Sequence, residues 1–143
     1  MTATALATAD FDLHPQLAAD TVEVDRWTCC RVLLIDDATY PWLILVPQRP
    51  SLRELHDLSA DDLAQVTAEI VRASAAMERL FQPDKMNVAA LGNQVSQLHI
   101  HVIARFEDDP AWPKPVWGVT PAIPYGAHDL AARIEALRGA FGG

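Results

Sequence analysis

Gln97-Leu98-His99-Ile100-His101-Val102-Ile103-Ala104-Arg105 alternates polar and apolar side chains through its first six positions. That is the period of a β-strand with one buried face. On such a strand Gln97, His99 and His101 project from one face, and Leu98, Ile100 and Val102 from the other. Two imidazoles and an amide then stand about 7 Å apart along the strand. Such a row needs a reason, because an ordinary solvated strand face is built from Thr, Lys or Glu. The candidate reasons are catalysis on phosphate, a metal site, or a pair of satisfied structural histidines.

The neighbouring segments place this strand in an α+β layout. Lys85 to Ala90 reads as a strand and Leu91-Gly92-Asn93-Gln94 as the turn that joins it to a strand from Leu98 to Arg105. Upstream, Ser59 is a good N-cap, acids follow in the first turn, and Leu58 is placed to staple onto Leu63. Leu63, Val66, Ile70, Ala73, Met77 and Leu80 or Phe81 recur at helical spacing, with Glu69, Arg72 and Glu78 off the stripe. The spacing predicts a helix from about Ala60 to Phe81, stopped by Pro83.

Further upstream, Trp27 to Ile35 and Trp42 to Val46 read as an antiparallel hairpin around the turn Asp36-Asp37-Ala38-Thr39. Phe11 to Asp20 reads as a short helix leading into the first strand. Downstream, Glu107 to Tyr125 holds half of the chain's prolines together with Trp112 and Trp117, so irregular structure is expected. Ala127 to Phe141 closes the chain as a helix. Strand, strand, helix, strand, strand is an antiparallel sheet with helices on one face.

The 143 residues suit one domain, residues 1–143, with its core at about 22–106 and a Pro/Trp-rich tail and C-terminal helix over 107–143. A formal net charge of −8 argues against a polynucleotide partner held by a broad basic surface. It leaves room for a small phosphate ester held by a few local donors. Met1 to Asp10 is a poor secretory signal, and no apolar run approaches the roughly 20 residues that span a bilayer. Cys29 and Cys30 are adjacent in an apolar run and read as small packed hydrophobes. A cytoplasmic setting is expected.

A metal site built on His99 and His101 needs a third ligand, and none lies near them in sequence. His14, His56 and His128 fall in segments read as loops or helix ends. The phosphate reading uses more of the segment. A neutral imidazole can attack phosphorus and form a phosphoramidate that water later cleaves. It needs a fixed tautomer, donors for the phosphoryl oxygens and a proton for the leaving group. The turn Gly92-Asn93-Gln94-Val95-Ser96 offers backbone N–H groups and amide side chains for an anion.

The segment resembles the signature of the histidine triad superfamily of nucleotide hydrolases and transferases, in which three histidines alternate with apolar residues. Val46-Pro47, Arg49-Pro50, Leu55-His56-Asp57-Leu58 and the long helix resemble the middle of the same family. The likeness spans about Arg31 to Arg105, and the chain resembles the bacterial group described as diadenosine tetraphosphate hydrolase-like. It implies a sheet of about five antiparallel strands with the long helix and the C-terminal helix packed on it, in a homodimer whose two sheets join.

By this resemblance His99 is the nucleophile that becomes nucleotidylated, and His101 orients it and contacts the phosphate. Gln97 takes the place of the first histidine. Glutamine can hold a phosphate oxygen but cannot deliver a proton as imidazolium does. Asn93, Gln94 and Val95 match the family's phosphate loop, Val95 through its backbone. Asp36, or Asp37 beside it, stands near the ribose-contacting acid and equally reads as a turn residue. Where the family has Gly-His or Thr-His, this chain has Trp42-Leu43, so a supporting histidine is missing at Leu43. Arg105 reads as a phosphate or surface residue, and Trp112 and Trp117 as a cover for the site, a dimer contact or simple packing.

The resemblance implies hydrolysis or transfer at the α-phosphate of a nucleotide conjugate, with no cofactor and no metal in the chemical step. The rival readings are a nucleotide-binding or regulatory module with little turnover, and a metal-binding protein.

Overall fold

Five antiparallel strands form one sheet in the computed structural model, which describes residues 11–142. In chain order the elements are α1 (Pro15–Asp20), β1 (Thr21–Arg26), β2 (Cys30–Ile35), β3 (Trp42–Pro47), α2 (Ala60–Phe81), β4 (Lys85–Ala89), β5 (Ile100–Arg105) and α3 (Ala127–Phe141). The sheet runs β1-β2-β3-β5-β4, with every neighbouring pair antiparallel. This is the expected α+β fold. The reading of Met1 to Asp10 lies outside the described residues.

Both long helices lie on one face of the sheet. Val66, Ala73, Ala76 and Met77 of α2, with Leu137 and Phe141 of α3, pack against Val32, Leu34, Leu43, Leu45, Ile100, Val102 and Ala104. Ser59 Oγ accepts from Asp62 N at 3.1 Å and caps α2, and Gln82 ends it in the left-handed region at φ 51°.

The buried stripe of α2 is rotated from the expected one. Leu63 and Leu80 are partly exposed, whereas Glu69 is buried. Its carboxylate accepts from Cys30 N at 2.7 Å and from Cys29 N at 3.0 Å, and Gln65 Nε2 completes the shell at 2.7 Å. A buried charge is tolerable there because donors surround it. Both cysteines are free and fully buried, packed among hydrophobes.

Two strand readings change. The first hairpin strand covers only Cys30–Ile35, while Trp27 to Cys29 form a turn over α3, with Trp27 edge-on to Phe141 at 4.8 Å between ring centroids. A fifth strand precedes it, β1, in which Val22 and Val24 alternate with Glu23 and Asp25.

The larger correction concerns β5. All six of its residues are buried, so the strand has two covered faces rather than one. The face away from the helices is covered by α1 and residues 11–14, through Phe11 and Leu17 on Leu33, Ile44 and Val46. The Pro/Trp-rich tail covers the rest, through Ala111 and Val116 on Tyr40 and Ile103.

Arg105 explains how the tail is held. It is 1% exposed, and its guanidinium binds Asp109 through two bonds, Nε to Oδ2 at 2.7 Å and Nη2 to Oδ1 at 3.1 Å. Nη1 donates to Asn87 Oδ1, and the Trp112 ring lies 5.6 Å from the guanidinium carbon. Neither the phosphate nor the surface reading of Arg105 survives, since it is committed to anchoring the tail. Burial alone would raise the Asp109 carboxyl. Arg105 and the N–H groups of Phe106, Trp112 and Ala111 outweigh it and bring the pKa down to about 2.

Candidate active site

Register decides which side chains meet the covered, helix-free face. In the β3–β5 ladder Ile44 pairs with His101 and Trp42 with Ile103, so Trp42, Ile44, His101 and Ile103 share one face. His99 lies two residues before His101 on the same side. Leu43 points to the opposite face and is buried among the helices.

Between this face and its covering segments lies a cavity of about 700 Å³. Its walls include His99, His101, the turn Gly92 to Val95, Asp36, Asp37, Trp42, Trp117 and four residues of α1. The sequence-predicted residues His99, His101, Asn93, Gln94, Val95 and Asp36 therefore converge. Gln97 does not line this cavity. It borders a small cleft beside His99, and its amide is engaged at both ends by backbone groups: His14 N donates to Oε1 at 2.9 Å, and Nε2 donates to Asp12 O at 2.8 Å. The three-residue polar row of the sequence is two histidines in the cavity and one glutamine bound elsewhere.

Each imidazole has one nitrogen fixed by a partner. His99 Nδ1 lies 2.7 Å from the carbonyl oxygen of Gln97. A carbonyl only accepts, so Nδ1 carries a proton, and in the neutral ring Nε2 is the nitrogen with the lone pair. Because this support comes from the main chain of residue 97, it does not depend on the side chain there. His101 is fixed the other way. Trp42 Nε1–H donates to His101 Nδ1 at 2.9 Å, and an indole N–H can only donate. His101 Nδ1 is thus unprotonated and Nε2–H is the remaining donor.

Burial, reinforced by the neighbouring His99, pushes the His101 pKa down to about 4, so it stays a neutral donor at pH 7. The His99 and His101 rings lie 4.9 Å apart, and Trp117 meets His101 edge-on at 4.9 Å. Trp117 therefore covers the site, whereas Trp112 packs on Arg105.

Trp42 is the functional residue that sequence reasoning missed. Placing the missing support at Leu43 was one residue off, because Leu43 faces the helices and Trp42 faces the histidines. Strand alternation carried the signal, since Trp42 shares parity with Ile44, which pairs with His101.

Gly92, at φ +68°, lets the β4–β5 connection turn back over the sheet. A side chain there would also press its Cβ to 3.3 Å from Val95 O. Among the described residues, no protein acceptor takes up the N–H groups of Asn93, Gln94 and Val95. At the other end, Asp36 Oδ1 accepts from Tyr125 N at 2.9 Å, and Asp37 Oδ1 from Thr39 N and Ile123 N. These bonds draw the tail over the cavity. Each carboxylate keeps an oxygen with no protein donor among the described residues. Among the described residues the lining holds three carboxylates, from Asp20, Asp36 and Asp37, and neither Lys nor Arg. Among the described residues no group of three His, Cys, Asp or Glu is placed to hold a metal ion. No helix among them is long and apolar enough to cross a membrane.

Residues 19–108 match the HIT domain family. The chain belongs to the HIT family. A histidine triad protein of Bradyrhizobium japonicum is 45% identical, with a TM-score of 0.90 over 92% of this chain and 98% of that one. One from Marinobacter aquaeolei is also 45% identical, with a TM-score of 0.90 over 92% of this chain and 96% of its own. One from Sinorhizobium meliloti is 37% identical, with a TM-score of 0.91 over 93% of this chain and 98% of that one. Comparison with curated proteins finds no match. The HIT match spans α1's last residues, the whole sheet, α2 and both cavity histidines, so the site lies inside the family's domain.

Proposed function

We propose that this HIT protein is a nucleotidyl hydrolase or transferase that acts at the α-phosphate of a nucleotide conjugate through a covalent intermediate on His99. The observation that carries this reading is the 2.7 Å bond from His99 Nδ1 to the Gln97 carbonyl, which leaves Nε2 as a nucleophilic nitrogen in a cavity wall. The free N–H groups of Asn93 to Val95, the amides of Asn93 and Gln94, and His101 Nε2–H are the donors for the phosphoryl oxygens. Asp36, with Asp37 beside it, offers acceptors for sugar hydroxyls.

In the first step Nε2 attacks phosphorus and the bond to the leaving group breaks, its electron pair departing with the leaving group. Water then attacks phosphorus, the P–N bond breaks, and the nucleoside monophosphate leaves with His99 restored. Gln97 supplies no proton to the leaving group, so leaving groups stable as anions suit this site. Phosphate-type leaving groups of dinucleoside polyphosphates, of the diadenosine tetraphosphate kind, are the first to test. Because the described residues of the cavity wall include no Lys or Arg, the site suits one phosphate at the turn and directs further phosphates outward.

The test is an acid-quenched reaction with dinucleoside polyphosphates and nucleoside phosphoramidates, followed by mass spectrometry of the peptide containing His99. A nucleotidyl adduct, absent from His99→Ala, is expected. Nucleotide binding with neither adduct nor turnover on any of them would instead establish the second reading, a binding module. The absence of an imidazole at position 97 favours that rival.

The proposed assembly is a homodimer joined at sheet edges. β4 is an edge strand with Val88 47% exposed, so it has both the backbone groups and the apolar surface for such a join. The mass of the particle in solution decides it. Two free thiols suit a reducing, cytoplasmic setting.

A further inference from the structure

The amide of Gln97 grips the main chain on either side of Leu13, at His14 N and Asp12 O. In an extended segment these two groups point the same way, so one primary amide meets both much as a neighbouring strand would. An imidazole has two nitrogens that diverge across the ring, and it cannot pair with both groups at once. The gripped segment runs directly into α1. His14 caps that helix, with Nδ1 accepting from Gln16 N at 3.0 Å, and Leu17 seats α1 on Ile44 and Leu33. Gln16, Leu17, Ala19 and Asp20 then form cavity wall. Asp36 N donates to Asp20 O at 3.0 Å, which places this wall beside the Asp36 and Asp37 carboxylates.

We propose that Gln97 is a positioning residue for the nucleoside. It latches the segment Asp12 to His14 so that α1 closes the sugar-and-base end of the cavity, and it takes no part at the phosphate. The proposal rests on the nucleotide reading of the cavity. It accounts for glutamine at a position where the family pattern has histidine, because one residue cannot both protonate a leaving group and pair with two backbone groups.

Three variants separate this role from a chemical one. Gln97→Ala removes the latch. Gln97→His supplies the family's imidazole. His14→Pro removes the partner N–H from the other side, at a φ of −55° that proline adopts and with no change at residue 97, and His14→Ala, which loses the α1 cap but keeps the N–H, is its control. Thermal melts establish that each variant is folded. Hydrogen exchange over residues 11–20 then reads the latch. Calorimetric titration with AMP, GMP, CMP and UMP, and separately with inorganic phosphate, reads the ligand.

Faster exchange and about tenfold weaker nucleoside monophosphate binding are expected in all three variants, the equivalent of one to two net hydrogen bonds. Affinity for inorganic phosphate stays unchanged. Unaltered exchange overturns the latch. Faster exchange with undiminished nucleotide affinity overturns its binding role. A Gln97→His enzyme that turns over faster with undiminished affinity overturns the proposal in favour of leaving-group chemistry at residue 97. If the native protein binds no nucleoside monophosphate, the nucleotide reading fails and takes the binding role with it, while the exchange arm still decides the latch.

Discussion

The two faces of the sheet are both buried, yet they are buried by different means. The helix face is covered by two amphipathic helices through a broad apolar cluster, with one charged side chain, Glu69, satisfied by backbone donors. The other face is covered by irregular chain held at a few polar anchors: Gln97 on residues 12 and 14, Arg105 on Asp109, and Asp36 and Asp37 on residues 123 and 125. Helices fill the space beneath them to close packing. Segments pinned at points do not, and the cavity is the space they leave. The broad apolar packing therefore lies on one face and the candidate site on the other, and substitutions on each should separate stability from the proposed activity.

The sharpest separation is His99→Ala, expected to lower turnover at least ~1,000-fold. Its melting temperature should move little, because the ring's one hydrogen bond among the described residues is to a carbonyl at the cavity wall. Steady-state kinetics beside calorimetry checks both halves. A large loss of stability would break the division between faces.

Next in size is Arg105→Met, which leaves the Asp109 carboxylate buried without its cation. Breaking a buried ion pair this way costs about 3–5 kcal/mol. The cost should be seen in urea unfolding and as disordering of the tail that roofs the site. The native pair also has a pH signature. The folded pKa of Asp109 is about 2, below its ordinary 3.8, so its stabilisation is complete above pH 3.8 and is lost as pH falls towards 2.

Met77→Ala probes the other face. Met77 is fully buried in the helix cluster, and truncation there costs about 2–5 kcal/mol. Nucleotide affinity should be unchanged at temperatures where the variant is folded, and titration calorimetry below its melting point measures that.

The smallest effect belongs to Trp42→Phe, expected at about 1 kcal/mol for one lost hydrogen bond. Its signature lies in protonation. His101 in the native protein has a pKa near 4 against an ordinary 6.5, so the unfolded state binds more protons between those values. Stability conferred by neutral His101 is complete above pH 6.5 and falls as pH drops towards 4. Without the indole donor, Nδ1 is free to take a proton, so the pKa should rise and the acid-sensitive window narrow. Nitrogen-15 shifts of the His101 ring across pH 4–8 report both pKa and tautomer. An unchanged tautomer would show that Trp42 does not set it.

The sequence made the helix face readable and left much of the site face hidden, for the same reason. Ala60 to Phe81 and Ala127 to Phe141 repeat a periodic pattern that any window detects, and both helices match their expected limits. Glu69 was misplaced because periodicity sees its charge but not the paired N–H groups of Cys29 and Cys30. β1 escaped because an edge strand shows only a short alternation, Val22 and Val24, between charged residues. His99, His101, Asn93 and Gln94 were legible because the strand and its preceding turn are local. The partners of Gln97 lie more than 80 residues away, and no pattern within the strand announces them. Trp42 failed by one register position, which on a strand is the difference between the two faces.

The two tryptophans beside His101 give the molecule a built-in optical signal. Trp42 and Trp117 each lie within 6 Å of the imidazole, measured between ring centroids, on the face where a ligand would enter. Indole emission is quenched by a nearby imidazolium and shifts in colour when water leaves. Occupancy of the cavity and the charge on His101 should thus be readable as light from the unlabelled protein.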